Sequence, residues 1–342
     1  MAVSMKDVAR LAGVSIKTVS NVVNDYPFVS DETRTRVRAA LDTLDYRPNI
    51  SARGLRTGRT DLIALAVPAL DEPYFSEIAS LIVEAAEGRG WTVLIDQTGG
   101  DRSREREVAG GLRSNLIDGC ITSPLAMTAE DVARLARQRP MVLLGERFTH
   151  AAADHIAVDS VRAARDATKH LIDLGRRRIA FIGAQTRIGT AATRLAGYQS
   201  ALQQAGQPVD QNLIVRISPF HRTEGAAAMA TLLRAEQPPD AVFCVNDLLA
   251  LGAIRTLLTA GLRVPEDVAV IGFDDIEDGR FTSPTLTSIS PDKKQIAEIS
   301  VELLARRIRG GASQAPVDVV AGHQLRLRES TAGTAVTSDP LR

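Results

Sequence analysis

The 342-residue sequence predicts an all-α helix-turn-helix head, a hinge helix, and an α/β core of two lobes with parallel sheets. Three observations predict this fold class. Two short helical patterns open the chain, an arginine-rich stretch follows, and apolar strand-like runs alternate with helical stretches from Asp61 onward. With 44% hydrophobic and 24% charged residues, the chain has the composition of a globular protein with a sizeable core.

Charge is distributed unevenly along a chain whose formal net charge is zero. Residues 1–60 hold ten Lys/Arg against six Asp/Glu, whereas the remainder holds 31 against 35. A basic head on an acidic body suits a module that binds a polyanion. The cysteines, Cys120 and Cys244, fall in separate apolar runs, and we expect buried, reduced thiols in a cytoplasmic protein. No signal peptide and no run of ~18 apolar residues is apparent, so no membrane association is expected.

The head begins with two helical patterns, Lys6–Ala12 and Ile16–Val23, that flank a turn at Gly13. A small residue at Ala9 would let the two helices cross closely, and the β-branched Val19 would pack back on the first helix. This spacing is typical of a helix-turn-helix, whose second helix lies in the major groove of DNA. The alternative is an ordinary helical hairpin that binds nothing.

Two serines are placed to begin the second and third helices of the head. Ser15 precedes the second helix and Ser30 the third, and a serine hydroxyl can accept hydrogen bonds from the first-turn amides. Acidic residues follow Ser30, where the helix dipole favours negative charge. The apolar residues of the third helix recur at helical spacing: Val37, Ala40, Leu41 and Leu44. The head should therefore occupy residues 1–47.

The stretch from residue 48 to 60 is expected to form a hinge helix. With the preceding Arg47 it carries four arginines and no acidic residue, and Pro48 would close the element before it. A helix of about two turns that contains Gly54 is mostly unfolded in water and needs a partner to order it. The alternative is a plain basic linker.

Residues 61–330 alternate between strand-like runs and helical stretches. The strand-like runs are Leu62–Val67, Trp91–Ile95, Ile117–Thr122, Met141–Leu144, Ile179–Ile182, Leu213–Ile217, Ala241–Val245 and Val268–Ile271. The helical stretches include Tyr74–Glu87, Val161–Leu174, Arg194–Ala205 and Leu248–Ala260. Apolar strands interleaved with helices predict parallel sheets covered on both faces. A ligand would then bind at the carboxyl ends of the strands, between two lobes.

Several motifs together resemble the lactose-repressor (LacI/GalR) family of bacterial transcription regulators. They are MKDVARLAGVSIKTVSNVVN, YRPNISARGLRTGRT, RLAGY, VNDLLALGAIR and VPEDVAVIGFDDIEDGRFTSPTLTSI, and the resemblance runs from about Met5 to Ser330. The family implies a DNA-binding head, a hinge helix and a periplasmic-binding-protein-like core. The resemblance also implies discontinuous lobes, about 61–160 plus 290–320 and 161–289 plus 321–330, with a last strand near Leu325–Arg328 and a tail at 331–342.

The resemblance assigns DNA contacts in the head and hinge. Base edges would be read by Ile16, Lys17 and Asn21, and phosphates would be held by Ser15, Thr18, Ser20, Asn24, Ser30 and Thr33. Many relatives carry arginine where Asn21 stands, and asparagine suits adenine rather than guanine, or can face a phosphate. In the hinge, Leu55 would wedge into the minor groove and open it for Arg53 and Arg56.

The resemblance also assigns an effector cleft. Arg194, in RLAGY, stands where the family anchors the effector; Asn246 and Asp274 follow strands, where polar groups can bind ligand hydroxyls. Further expected contacts are the aromatic residues Tyr74, Phe75 and Phe220 and the hydroxyl of Thr190. Several relatives have an acidic contact at the position of Gly145, so Glu146 or Arg147 would substitute for it. Asp247 and Asp275 are expected to be structural.

Other function classes find little support in the sequence. It contains no dinucleotide fingerprint, P-loop or G-x-S-x-G motif, its five histidines do not form a metal-binding pattern, and no cofactor is expected. A transport-type solute-binding protein would share the core but lack the basic head. The sequence therefore predicts a homodimeric repressor of a pseudo-palindromic operator, released by a small effector such as a sugar. Dependence on a corepressor is the alternative within the family. The C-terminus shows no leucine heptad, so dimers rather than tetramers are expected.

Overall fold

A computed structural model of the chain describes residues 3–23, 26–46, 59–111, 116–148, 152–184, 189–310 and 315–333. The chain forms two compact units, Met1–Asp61 and Leu62–Arg342. The expected DNA contacts Asn24, Arg53, Leu55 and Arg56, and most of the expected hinge helix, lie outside the described residues.

The described part of the first unit contains three helices around a small apolar core. Its helices are α1 (Met5–Ala12), α2 (Ile16–Val23) and α3 (Asp31–Thr43). Its buried side chains come from all three helices: Val8, Ala9, Ala12, Val19, Val22, Val37 and Ala40. The helical head predicted from the apolar spacing is therefore confirmed.

The turn between α1 and α2 has the local chemistry that the sequence predicted. Gly13 adopts the left-handed conformation, with φ of 65°, and its N–H donates to the Ala9 carbonyl at the end of α1. Ser15 Oγ then accepts from the Thr18 N–H at 3.0 Å and caps α2. Ser30 Oγ caps α3 in the same way, accepting from the Thr33 N–H at 3.4 Å.

Among the described residues of the second unit there are two six-stranded sheets, one in each lobe. The first sheet is formed by β1 (Leu62–Val67), β2 (Thr92–Gln97), β3 (Gly119–Thr122), β4 (Met141–Leu144), β5 (Asp154–Val158) and β11 (Asp318–Ala321). The second is formed by β6 (Ile179–Ala184), β7 (Ile214–Arg216), β8 (Ala241–Cys244), β9 (Ala269–Phe273), β10 (Thr287–Pro291) and β12 (His323–Arg326). The strand orders are β11-β5-β4-β3-β1-β2 and β12-β10-β9-β8-β6-β7. Every pairing is parallel except the antiparallel pair β10–β12, which confirms the predicted α/β class.

Helices cover both faces of the sheets. In chain order they are α4 (Pro73–Glu87), α5 (Arg102–Ala109), α6 (Ala129–Ala136), α7 (Ser160–Asp173), α8 (Thr190–Gln204), α9 (Arg222–Leu233), α10 (Asp247–Thr259), α11 (Lys293–Gly310) and α12 (Glu329–Ala332). Short 3₁₀ turns occur at Gln211–Leu213 and Glu277–Arg280. None of the helices in the described ranges is long and apolar enough to span a bilayer.

The chain passes between the lobes at three places. It leaves the first sheet after Val158, where α7 begins to pack on the second lobe. After Pro291, at the end of β10, it returns to the first lobe, because α11 packs against α4 and against β3, β4 and β5. It crosses a third time at Gly322, between β11 in the first sheet and β12 in the second.

The helices α9 and α10 of the second lobe cross closely enough to require glycine on both of them. A Cβ on Gly252 of α10 would lie 1.9 Å from the Arg222 carbonyl oxygen of α9. A Cβ on Gly225 of α9 would lie 2.2 Å from the Leu249 carbonyl oxygen of α10. Each glycine thus gives space to the backbone of the facing helix.

Candidate functional site

A cavity of about 170 Å³ opens between the lobes where the strand ends of both sheets meet. The first lobe contributes Tyr74 and Phe75 from α4, with Glu72, Ser123, Leu125, Gly145 and Glu146 from loops. The second lobe contributes Thr190 and Arg194 from α8, with Phe220, Asn246 and Asp274 from loops. Eight of the nine expected effector contacts therefore line one cavity, although their binding role stays a prediction.

Arg194 is fixed at the floor of this cavity. Its side chain is buried, and its Nη1 donates to the Val245 carbonyl. Its guanidinium carbon lies 3.3 Å from the Phe273 ring centroid, and its Nη2 lies 3.5 Å from Asp274 Oδ1. A cation held by a ring and a carboxylate keeps one orientation. The Nε of Arg194 has no hydrogen-bond partner among the described residues.

Asp274 directly follows β9 with a φ of 107°, in the region that L-residues rarely adopt. Burial raises the pKa of its carboxyl to about 7. Arg194 and Lys293 lower this pKa, whereas the carboxylates of Glu72 and Glu146 raise it. Near neutral pH the cavity therefore contains an acid group that can either donate or accept a hydrogen bond.

Glu146 connects the two lobes across the cavity. It follows β4 in the first lobe, and its Oε2 accepts from Thr190 Oγ1 at 2.5 Å in the second. Its Oε1 accepts from Ser160 Oγ at 2.7 Å, at the start of α7. Both oxygens of this carboxylate are thus held by hydroxyl groups of the opposite lobe.

Aromatic side chains form the apolar part of the cavity. The rings of Tyr74 and Phe75 lie edge to face with centroids 5.2 Å apart, and burial raises the pKa of the Tyr74 hydroxyl. Phe220 is held through its carbonyl, which accepts from Asn246 Nδ2 at 3.1 Å. Asn246 Oδ1 accepts from the Leu249 N–H at 3.0 Å, so this amide also caps α10.

Arg147 is the expected effector contact that does not line the cavity. Its Nε donates to the Met127 carbonyl at 3.3 Å, and its guanidinium lies 5.6 Å from the Phe148 ring centroid. Asp247 and Asp275 also lie outside the lining. Asp247 accepts from the Ile276 N–H and from Ser288 Oγ, and Asp275 pairs with Arg328.

Several lining residues were missed by sequence reasoning, among them Glu72, Ser123 and Leu125. Ser123 directly follows β3, so the rule that ligands bind at the ends of parallel strands could have identified it. Glu72 directly precedes Pro73, the first residue of α4, and a carboxylate at that position is expected to be a helix cap. Leu125 gives no sequence signal, since an apolar loop residue is common.

The expected DNA contacts of the head that the structure describes are all at least partly exposed. Ser15, Ile16 and Lys17, at the start of α2, are exposed, and Thr18, Ser20 and Asn21 are half-buried. Ser30 is exposed and Thr33 is half-buried at the start of α3. Within the described residues, no group of three or more His, Cys, Asp or Glu side chains is placed to hold a metal ion.

Comparison with known families gives two matches along the chain. Residues 4–49 match the family described as "Bacterial regulatory proteins, lacI family". Residues 168–331 match the family described as "Periplasmic binding protein-like domain".

Full-length relatives are also similar. The ribose operon repressor of Haemophilus influenzae is 36% identical over 306 residues, which cover 90% of this chain and 92% of the relative. The structure of the lac repressor dimer bound to operator and the anti-inducer ONPF superposes with a TM-score of 0.86 at 28% identity, covering 97% of this chain and 99% of that one. The structure of the transcriptional regulator CelR–cellobiose complex superposes with a TM-score of 0.70 at 32% identity, covering 96% and 99%. The chain belongs to the lacI family of bacterial regulatory proteins.

Proposed function

We propose that this protein is a homodimeric repressor that binds operator DNA through its head and is released by a neutral sugar bound between the lobes. The observation that carries the proposal is the cavity in which strand ends of both lobes converge on Arg194. A ligand there contacts both lobes at once, so its binding can change the angle between them. A repressor of this kind must be in the compartment that contains the DNA, so we propose that it is cytoplasmic.

The charges of the cavity favour a neutral ligand. Its described lining includes three carboxyl groups, from Glu72, Glu146 and Asp274, and one cationic side chain, from Arg194. A sugar phosphate or sugar acid would bury a second set of negative charges beside these carboxylates, which is costly without added cations. A neutral sugar can donate its hydroxyl protons to carboxylate oxygens and place its apolar face on an aromatic ring.

The names of two relatives are consistent with this choice. One is the ribose operon repressor, and the other is the complex of the transcriptional regulator CelR with cellobiose. Both names refer to neutral sugars. We therefore propose the same ligand class for this cavity, with the identity of the sugar left to experiment.

The head and hinge supply the DNA contacts in this proposal. Ile16, Lys17 and Asn21 would read base edges from the start of α2, and the hydroxyls around them would hold phosphates. A two-fold dimer requires two half-sites, with Leu55 of each protomer wedged at the centre of the operator. The lac repressor relative is a dimer bound to its operator.

Coupling between the sugar and the operator must be reciprocal. If the sugar weakens operator binding, the operator weakens sugar binding by the same factor. A corepressor would have the opposite sign, since ligand and operator would then strengthen each other. The sign of one titration therefore separates the two forms of regulation.

A two-part experiment tests the proposal. The purified chain is first screened by thermal unfolding against D-ribose, cellobiose, D-ribose 5-phosphate and hypoxanthine. A ligand at a hundred times its Kd should add about 2.7 kcal/mol to the free energy of unfolding, and we expect this from a neutral sugar but not from the phosphate. Fluorescence anisotropy then measures affinity for duplexes selected from a random pool, with and without the ligand. Failure to select any duplex at physiological salt would refute the proposed function.

A further inference from the structure

The loop Ser123–Met127 forms the first-lobe end of the cavity. It joins β3 to α6, and it begins with the Ser123 N–H donating to the Ala66 carbonyl at 2.9 Å. It ends at Met127, whose side chain is fully buried. Between them Leu125 is 52% exposed and lines the cavity, so burial of its side chain does little to hold it there.

The backbone of this loop is held by a buried carboxylate from α5. Glu105 is fully buried, and its Oε1 accepts from the N–H groups of Leu125 at 2.6 Å and Ala126 at 3.1 Å. Its Oε2 accepts from the N–H groups of Ala126 at 3.0 Å and Met127 at 2.7 Å. Three consecutive amides thus point at one carboxylate, and the loop cannot shift without leaving buried donors or the carboxylate unpaired.

The other side of the loop is tied to the strand end that carries Glu146. Arg147 Nε donates to the Met127 carbonyl, which makes this arginine a tether between two cavity loops. The Leu125 side chain also rests on a turn of the first lobe, since a Cβ on Gly100 would lie 3.4 Å from Leu125 Cδ1. The loop is therefore held from α5, from the end of β4 and from the turn before α5.

We infer that Glu105 is a positioning residue of the effector cavity, which fixes the place of Leu125 through the three amides, with Arg147 as a second tether. This inference rests on the proposed function only in naming the cavity as the effector site. Apolar Leu125 stays half-exposed at the cavity because its backbone is fixed. The loop then presents a preformed wall to a ligand, so little ordering is needed when the ligand binds.

Hydrogen–deuterium exchange on the full-length chain, without ligand or DNA, tests the inference. In Glu105→Gln, an NH2 donor replaces one of the two accepting oxygens, so the Leu125 amide or the Met127 amide loses its acceptor. We expect that end of the loop to exchange about tenfold faster or more. The Ser123 amide, which bonds to Ala66 instead, should keep its protection. Glu107→Gln provides a matched control, because Glu107 lies on the same helix and is partly exposed.

Two results would overturn the inference. One is unchanged exchange of the three amides in Glu105→Gln. The other is an equal increase in exchange across the whole first lobe, which would show that Glu105 stabilises the lobe as a whole and does not specifically position the loop. If Glu105→Gln does not fold, Arg147→Gln tests the second tether instead. We expect the amides of Met127 and its neighbours to exchange faster in this variant, and unchanged exchange would overturn the inference. Since neither ligand nor DNA is present, these outcomes are independent of those that test the proposed function.

Discussion

The guanidinium carbon of Arg194 lies 3.3 Å from the centroid of the Phe273 ring. Phe273 is the last residue of β9, so the ring is part of the second sheet and does not move independently of it. The arginine is thereby oriented before any ligand arrives, and its unused Nε belongs to a group that is already desolvated. A ligand that bonds to Arg194 is therefore bound to the frame of the second lobe.

Replacing Arg194 with alanine should abolish the response to the effector while operator binding by the free protein persists. The substitution removes the cation that the cavity is built around, whereas the head is a separate compact unit. Thermal unfolding with and without the sugar, and anisotropy on the selected duplex, measure the two properties. Arg255→Ala is the control, since Arg255 lies exposed on α10. An undiminished sugar response in Arg194→Ala would remove the anchor role.

Asp274 should make stability fall as pH rises toward neutrality. Its folded pKa of about 7 lies above the ordinary value of 3.8, because the carboxyl is buried. Between these values the folded chain keeps a proton that the unfolded chain has released. The stabilisation from this proton is therefore complete below about pH 4 and decreases progressively as the pH rises to about 7. Each pH unit in that window changes the free energy of unfolding by about 1.4 kcal/mol for one such group.

Asp274→Asn isolates this contribution. Burial also raises the pKa of Asp247, which acts in the same direction in both proteins. Urea unfolding between about pH 5 and pH 8 should show the stability of Asp274→Asn rising relative to the parent as pH increases. Parallel pH profiles for the two proteins would contradict the raised pKa.

Thr190→Val should weaken the bridge between the lobes. Valine has the shape of threonine but cannot donate to Glu146 Oε2, and the loss of one hydrogen bond at this half-buried carboxylate costs about 1 kcal/mol. Thr190→Ser keeps the hydroxyl and serves as the control. Chemical unfolding measures the loss, and equal stability of the valine and serine variants would show that this hydrogen bond is dispensable.

Gly252→Ala should destabilise the second lobe, although helix propensity alone predicts that it stabilises α10. Alanine normally favours helix, but its Cβ here would lie 1.9 Å from the Arg222 carbonyl oxygen and force α9 and α10 apart. We expect a loss of about 1–3 kcal/mol or more in the free energy of unfolding. Gly88→Ala is the control, because a Cβ there would meet nothing closer than 3.6 Å. A neutral Gly252→Ala would show that the helix pair can separate freely.

Leu55→Ala tests the proposed wedge in the part of the chain outside the described residues. Specific operator binding should fall by a few kcal/mol, because the central base step is no longer opened, while salt-dependent nonspecific binding persists. Anisotropy on the selected duplex and on a scrambled one measures both. Leu174→Ala, at a leucine 44% exposed on the core, is the control. Equal loss on both duplexes would exclude the wedge.

Local patterns were sufficient for much of the fold. The apolar spacing of the head and the runs that became β1, β4, β6 and β8 are visible within short windows. The strand β5 was not predicted, because Asp154 and His155 open it with polar residues. Asp154 is buried because it pairs with Arg307, which lies 153 positions away in the sequence. A contact between residues so far apart in the sequence leaves no local pattern. The polar strand β10 was missed for the same kind of reason, since Ser288 bonds to Asp247 across 41 positions.

The cavity was predictable where a motif marks a strand end, and not where loop geometry decides. Asn246 and Asp274 follow apolar runs, so their place at the sheet edge could be read from the chain. Glu146 and Arg147 are neighbours after the same strand, and the sequence could not tell which would face the cavity. The left-handed Gly145, with φ of 90°, turns the chain so that Glu146 crosses to Thr190 and Arg147 points to Met127.

Because the chain passes between the lobes near Asp159, Asp292 and Gly322, neither lobe is a contiguous fragment that could be expressed alone. A stop codon after β10 would deprive the first lobe of α11 and an edge strand, and the second of its own edge strand, so both would be damaged by one truncation. A single protease cut in one of the three connections would instead leave the two lobes joined by the other two. Limited digestion of the folded protein can thus nick the core without releasing a lobe.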